Sequence, residues 1–461
     1  MNVGKYDIVI IVAYFVFLIT IGFIRRSKEN ISQADYIIYG RKLSLPGFVI
    51  TLVSTWYGAI LGVGENTYLY GIQTWFIFAF PYYIFAVIYA LWLSKIIWKK
   101  NILSIPDIFR RRYGNEAGII SAFFIFFLSS PAPYILSLGV LFNFIFNIEL
   151  VWCLLIASLF STIYVWKGGL SAIIKTDYLQ LILMFSGFLL LIGFSWNNSV
   201  SPYSLFKSLP PTHQSPLGGN SLQYVIVWFF IAIWTIIDPN FFQRCTAVKS
   251  PEIAKKGLLI SICFWFLFDI MTITAGLYAY IYTVPKNPLM AYPLLGLEVL
   301  PPGFLGYFLV SLFAIIMSTI DSMSFVNAIT IGRDIIWRLR KKDSTKNPVF
   351  LIKKGLIAVA ILSIVLSILI PSVVKMLYIL GSLIIPGLIL PFIIALIGNN
   401  FRMTKNNAIL WLCLPVVSSL LFFIMSALDI GRLPNIEPFY PGMFISILFY
   451  YYLKLSSKNI N

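Results

Sequence analysis

The sequence is short of charge, shorter still of acid, and nearly without histidine. Only 11% of its 461 residues are charged, and 17 of them are acidic. A soluble domain carries roughly a quarter of its residues as charges, so this chain has too little to cover a water-facing surface. Its single histidine, His213, excludes catalysis by a histidine cluster. The four cysteines, Cys153, Cys245, Cys263 and Cys413, have no metal-ligand spacing and are expected to be free thiols. A membrane-embedded enzyme would need a catalytic constellation, and none is present, so the chain is not expected to be an enzyme.

What is abundant is apolar sequence: 59% of the residues, with a mean hydropathy of +0.89. The apolar runs fall roughly at 7–24, 47–71, 74–98, 117–145, 150–166, 174–195, 222–242, 257–283, 303–330, 354–371, 375–398, 408–427 and 439–454. Most have the length of a bilayer crossing, about 20 residues. In hydrocarbon only helices or closed barrels satisfy the backbone. Barrel strands would alternate over about ten residues, so the expected fold is an all-α polytopic membrane protein of about thirteen transmembrane helices.

Basic residues set an expected orientation. All but five of the 34 Lys and Arg lie in alternate loops and the C-terminal tail; the exceptions are Lys5, Lys207, Lys286, Lys375 and Arg432. By the positive-inside rule the N-terminus is outside. The net charge of +17 then belongs to loops facing anionic lipid, and nucleic acid is not an expected partner. The run after Lys5 is too long for a signal-peptide core and lacks a small-residue cleavage site, so it reads as a retained first helix. The segment from Asn197 to Ser221 reads as an outer loop with room for a short helix, and Asn197-Asn198-Ser199 within it is a formal glycosylation sequon. The few residues after Lys454 leave no room for a C-terminal sensor module.

Two spans look broken. The second holds Gly58, Gly62, Gly64 and Gly71 among Ser54, Thr55, Glu65, Asn66 and Thr67; the seventh ends in Ile236-Ile237-Asp238-Pro239-Asn240. Proline removes a backbone donor, and glycine costs about 1 kcal/mol in a helix relative to alanine. The two spans are five apart and would open two five-helix halves. Such matched interruptions point to a transporter built from inverted repeats. The expected organisation is one transport domain over 1–461: a first helix 7–24, repeat one at about 47–195, repeat two at about 222–398, and two C-terminal helices within 408–454.

The ninth span carries adjacent hydroxyls at Ser318 and Thr319. Hard oxygen ligands suit small cations, and carbonyls freed where a helix unwinds could add to them. Hydrogen bonds back to their own helix are the other use of such hydroxyls. The intramembrane acids are Glu65, Asp177, Asp238, Asp269 and Asp321. A carboxylate at the bilayer centre costs about 2.5–3.5 kcal/mol, so these should face the interior. Asp177 is either functional or an interfacial ion pair with Lys175, and Asp269 needs a hydroxyl partner elsewhere.

These residues resemble the sodium:solute symporter family. Gly168-Gly169-Leu170-Ser171-Ala172-Ile173-Ile174-Lys175-Thr176-Asp177-Tyr178-Leu179-Gln180 is similar to its GG…A…TD..Q signature. Gln243-Arg244 with Ala247-Val248-Lys249-Ser250 resembles its QR..AAKS segment, and Met317-Ser318-Thr319-Ile320-Asp321-Ser322 its MSTADS-like core. The resemblance covers nearly the whole chain and implies a leucine-transporter-type fold with five-plus-five inverted repeats. It implies Na⁺ as coupling ion, held by the side-chain oxygens of Ser318 and Thr319 and by main-chain carbonyls near Ile315, Leu52 and Thr55. By the same resemblance Asp177 is implicated in the sodium route toward the cytoplasm.

Sugar-carrying members place Glu-Gln in the unwound second-span segment, where this chain has Gly58-Ala59. Asp238 falls where relatives carry Asn or Gln, and a carboxylate there would suit an ammonium. The expected function is therefore Na⁺-driven symport, across the cell membrane and by alternating access, of a small organic solute, with an amino acid or a related amine or carboxylate favoured over a sugar. Trp56 and Tyr57 either wall the solute site or pack an ordinary helix contact. A proton-coupled permease on the same fold is the nearest alternative, and a channel a more distant one.

Overall fold

The computed structural model describes residues 3–23, 32–197, 200–340, 348–398, 403–428 and 436–458. Among these the chain is helical, and the only extended pairing is an isolated bridge between Leu43 and Val248. Among the described residues, nine helical stretches are long and apolar enough to cross a membrane: 73–100, 115–146, 170–197, 222–247, 251–282, 304–337, 349–369, 373–397 and 405–427. The other apolar runs fall on Lys5–Phe23, on the pair Leu45–Ser54 and Ile60–Tyr70, on Leu150–Gly168 and on Phe439–Lys458. The number of crossings and the outward N-terminus rest on the charge pattern of the sequence.

Both expected interruptions are present, each with a local cause. Leu45–Ser54 starts at Ser44, whose hydroxyl accepts from the Gly47 N–H, with Pro46 in the first turn. It ends where the Ser54 and Thr55 hydroxyls turn back onto the Ile50 and Thr51 carbonyls, each at 2.5 Å, a contact that competes with the helical ladder. Residues 55–59 are unwound before Ile60–Tyr70 resumes. In the seventh span, Leu222–Ile231 tightens to 3₁₀ over Ala232–Ile237, breaks at Asp238, and restarts as Pro239–Ala247. Proline suits the first position of the new helix, and Asp238 caps it.

A third break was not expected. Asn115–Leu128 and Ala132–Phe146 meet at Ser129-Ser130-Pro131, inside what reads as one apolar run. Helix ends also differ from the hydropathy limits. The seventh span continues past 242 to Ala247 because Gln243 and Arg244 are buried among polar partners, where polarity no longer marks a loop. Arg244 and Arg333, which the charge pattern assigns to loops, are both in the interior.

Phe304–Ile329, prolonged by π-helical turns to Trp337, is the most enclosed of the long helices. Its most apolar window is 89% buried, against 28% for Val349–Leu369 and for Lys405–Ala427, which belong to the periphery. Asp7 of the first helix caps its start, accepting from the N–H groups of Gly303 and Gly306 at 2.7 Å each. At its other end Arg333 pairs with Asp107 at 2.7 Å and with the adjacent Asp334, while Arg110 and Arg338 also reach Asp107. Burial pushes the Asp107 carboxyl up, but these guanidinium groups outweigh it and hold it below the usual carboxylate range.

The segment between the sixth and seventh spans is packed rather than loose. It forms two short helices, Pro202–Ser208 and Pro211–Gln214. The His213 carbonyl accepts from Ile72 N at 3.0 Å, beside Gly71 at φ +62, where a Cβ would strike the His213 backbone. Asn198 and Ser199 of the sequon lie outside the described residues.

Candidate functional site

The two breaks and the ninth helix meet at the centre of the molecule. The unwound residues 55–59 lie against Phe304–Ile329, and the Thr319 hydroxyl is 2.8 Å from the Thr55 carbonyl and 3.4 Å from that of Ile315. Gly58 allows this approach, since a Cβ there would sit 2.6–2.7 Å from the Thr319 Cγ2 and Oγ1. Ser318 Oγ donates to Asp177 at 2.7 Å, and Thr51 Oγ1 donates to the other oxygen of the same carboxylate. Leu52, one turn before the break, is buried. Hydroxyls, carbonyls and one carboxylate therefore converge among buried residues, the donor set that hard cations take. Among the described residues no three His, Cys, Asp or Glu cluster as a metal site.

Asp177 is fully buried and its oxygens are taken by Ser318 and Thr51, so its place is beside the ninth helix rather than at an interface. Next to it stands a residue to which sequence reasoning gave no role. Arg244, 0% exposed, donates through Nη2 to Ser322 at 2.6 Å, Thr55 at 3.2 Å and Thr51 at 3.3 Å. Its other nitrogen, Nη1, reaches Asn240 at 2.9 Å and Gln243 at 3.2 Å. It lies in electrostatic reach of both Asp177 and Asp238. Its sequence signal was its place one turn beyond the Asp238-Pro239 break, obscured because a basic residue at the end of an apolar run reads as a loop charge.

Beside the unwound segment opens a cavity of about 830 Å³ of empty space, part of it open to solvent. Thr55, Trp56, Tyr57, Ala59, Asp238 and Asp269 all border it. Gly58 faces Thr319 instead. Trp56 packs edge-on against Tyr82 at 5.2 Å and tilted against Trp265 at 5.1 Å, while Tyr57 donates to the Trp265 carbonyl at 2.9 Å. Asp238 Oδ1 accepts from the N–H groups of Asn240 at 2.7 Å and Phe241 at 3.1 Å, as the cap of the restarted helix. Asp269 accepts from the Tyr83 hydroxyl, the hydroxyl partner expected for it.

Of the other acids, Glu65 has one buried oxygen without a hydrogen-bond partner, and Asp321 is buried one turn after Ser318. Sequence reasoning missed Thr51, Ser322 and Tyr83, which no local pattern distinguishes from ordinary helix residues. The four cysteines are free.

Known proteins resemble this chain over most of its length. The family model for the sodium:solute symporter family matches residues 36–411. A high-affinity proline transporter of Bacillus subtilis is 26% identical over 58% of this chain, a match that spans 59% of that transporter, less than two thirds of its length. A sodium/pantothenate symporter of Haemophilus influenzae is 26% identical over 75% of each chain. A high-affinity choline transporter of Drosophila melanogaster is 24% identical over 79% of this chain and 62% of its own. Among solved structures, a Na⁺-coupled sialic acid symporter in a substrate-bound, outward-open state superposes with a TM-score of 0.79 at 17% identity, covering 99% of this chain and 98% of that one. A nucleobase-cation-symport-1 family transporter gives 0.59 at 12% identity, over 93% and 96%. These likenesses show the fold, which is the leucine-transporter type.

Proposed function

The chain belongs to the sodium:solute symporter family, and from that premise we propose that it drives a small organic solute across the cell membrane by coupling it to Na⁺ entry. The proposed sodium ligands are the hydroxyls of Ser318 and Thr319 with the carbonyls of Ile315, Leu52 and Thr55, and Asp177 lines the ion's route. The solute occupies the cavity bordered by Trp56, Tyr57, Ala59 and Asp238, with Gly58 shaping the turn between the two sites. An amino acid or amine is favoured over a sugar, because two carboxylates border the cavity.

One observation carries this reading: residues 55–59 serve the ion and the solute at once. Thr55 offers its carbonyl to Thr319 while Thr55, Trp56, Tyr57 and Ala59 border the cavity. An ion that ties the unwound segment to the ninth helix therefore shapes the solute's wall. Coupling requires that the ion bind the two conformations of the carrier differently, since equal binding shifts nothing. The membrane potential adds about 2.3 kcal/mol per charge per 100 mV crossed.

The test is uptake into proteoliposomes of labelled amino acids, pantothenate, monocarboxylates and sugars under an inward sodium, potassium or proton gradient. Uptake of one solute under sodium alone is the expected result. Uptake driven by protons alone would keep the fold and transfer the coupling role to Asp177 and the other buried acids. Flux without coupling to any solute would point to a channel.

A further inference from the structure

Building on the symporter reading, we propose that Asp269 is the anchor of the transported solute, and that the solute is an organic cation whose ammonium group rests on this carboxylate against the aromatic walls of the cavity. The cavity is bordered by two carboxylates, Asp238 and Asp269, and by no Lys, Arg or His among the described residues. The two acids differ in how they are satisfied.

Asp238 is committed to the protein. One of its oxygens takes two backbone N–H groups as a helix cap, and the guanidinium of Arg244, six residues on in the same helix, stands behind it. Asp269 has phenols and no cation. Tyr83 donates to it, the Tyr57 hydroxyl also lies within its reach, and no ion pair reaches it among the described residues. A carboxylate at this depth without a counter-charge is costly, and this one borders the cavity.

The remaining wall suits the same ligand. Trp56, Phe78, Tyr82, Tyr134 and Trp234 present rings to the cavity, and aromatic faces attract ammonium groups by about 0.5–2 kcal/mol. Trp234 is buried and its indole N–H has no hydrogen-bond partner, leaving a donor for an oxygen of the solute. A sugar would bring no positive charge to the two carboxylates of this wall. In this proposal the ammonium anchor is Asp269 rather than Asp238, where the family resemblance put it.

The test is equilibrium binding to the purified full-length protein, in sodium and in potassium, of labelled choline, proline, putrescine, glucose and lactate. Only probes with a positive nitrogen are expected to bind. Their uncharged isosteres at that nitrogen, 3,3-dimethylbutan-1-ol for choline and cyclopentanecarboxylate for proline, are expected not to compete even at about 100-fold excess, since they lose the charge-assisted contact. Asp269→Asn keeps an oxygen acceptor for Tyr83 and is expected to weaken binding about tenfold or more, as loss of a charged hydrogen bond does. Binding of no ammonium probe, competition by an isostere, or unchanged affinity in Asp269→Asn would overturn the proposal. Competition is measured on the unmodified protein, so a variant that fails to fold does not decide the matter. Cation binding without sodium-driven uptake would count against the symporter reading alone, and sodium-driven uptake of glucose against the cation anchor alone.

Discussion

Two groups of buried acids in this molecule are satisfied in opposite ways. At the end of the ninth helix Asp107 and Asp334 are matched by Arg333, with Arg110 and Arg338 in reach. At the centre, Asp177 and Asp269 are met by the hydroxyls of Ser318, Thr51 and Tyr83, and Arg244 is in electrostatic reach of Asp177. Hydroxyls orient a carboxylate without cancelling its charge. The first group is a closed set in charge, its counter-charges lying within the protein, although Asp334 Oδ2, Arg333 Nε and Arg338 Nε have no hydrogen-bond partner. In the proposed function the second is completed by cations that arrive and leave, which a carrier needs and a scaffold does not.

The comparison can be broken from either side. The largest effect is expected from Ser318→Ala with Thr319→Ala, which should abolish sodium activation of uptake while leaving the fold intact; uptake still activated by sodium would sink the ion-site assignment. Next comes Arg333→Ala, which strands the buried Asp334 and leaves Asp107 to Arg110 and Arg338. Removing one partner of a buried pair costs about 3–5 kcal/mol, so a strong fall in thermal stability in detergent is expected, and a fall below about 1 kcal/mol would show that the set is not closed.

Asp238→Asn sharpens the contrast within the cavity. Asn is about as good a cap as Asp, so solute KM should stay within about threefold if Asp238 is scaffold. A rise of tenfold or more would return the anchor to Asp238. The smallest effect is expected from Lys405→Ala. Its pair with Glu116, 2.6 Å long, is about half exposed on both sides, and such pairs contribute about 0–1 kcal/mol.

The closed set also has a defined response to acid. The folded-state pKa of Asp107 is lowered by its guanidinium partners, so its contribution is fully present above the unfolded value of about 3.9. It is lost only as pH falls through the lower folded value. Stability should therefore be insensitive to this residue between about pH 5 and 8, a point that Asp107→Asn checks by comparing unfolding at both ends of that range.

Much of the site was legible as residue type and spacing. Ser318 with Thr319, Asp177 and the two interrupted spans stand out because polar, glycine and proline positions are rare in such apolar runs. The third break at Ser129-Ser130-Pro131 was not legible, because two serines and a proline between long apolar stretches are compatible with a kinked single helix. Arg244 was misread for a related reason: hydropathy treats every basic residue as a boundary and cannot see that Thr51, Thr55 and Ser322 wait for this one in the interior.

By itself the sequence determined that this is a helical membrane protein with two matched breaks and a hydroxyl pair on the ninth span. Those follow from composition and periodicity, which act locally along the chain, and the family resemblance follows from the order of its motifs. Only the tertiary structure decided which acids share a partner, that Arg244 stands beside Asp177, and that Asp238 and Asp269 border one cavity, with Tyr83 donating to the second. Those distinctions depend on residues hundreds of positions apart being brought within hydrogen-bond reach, and no local pattern in the chain carries that information.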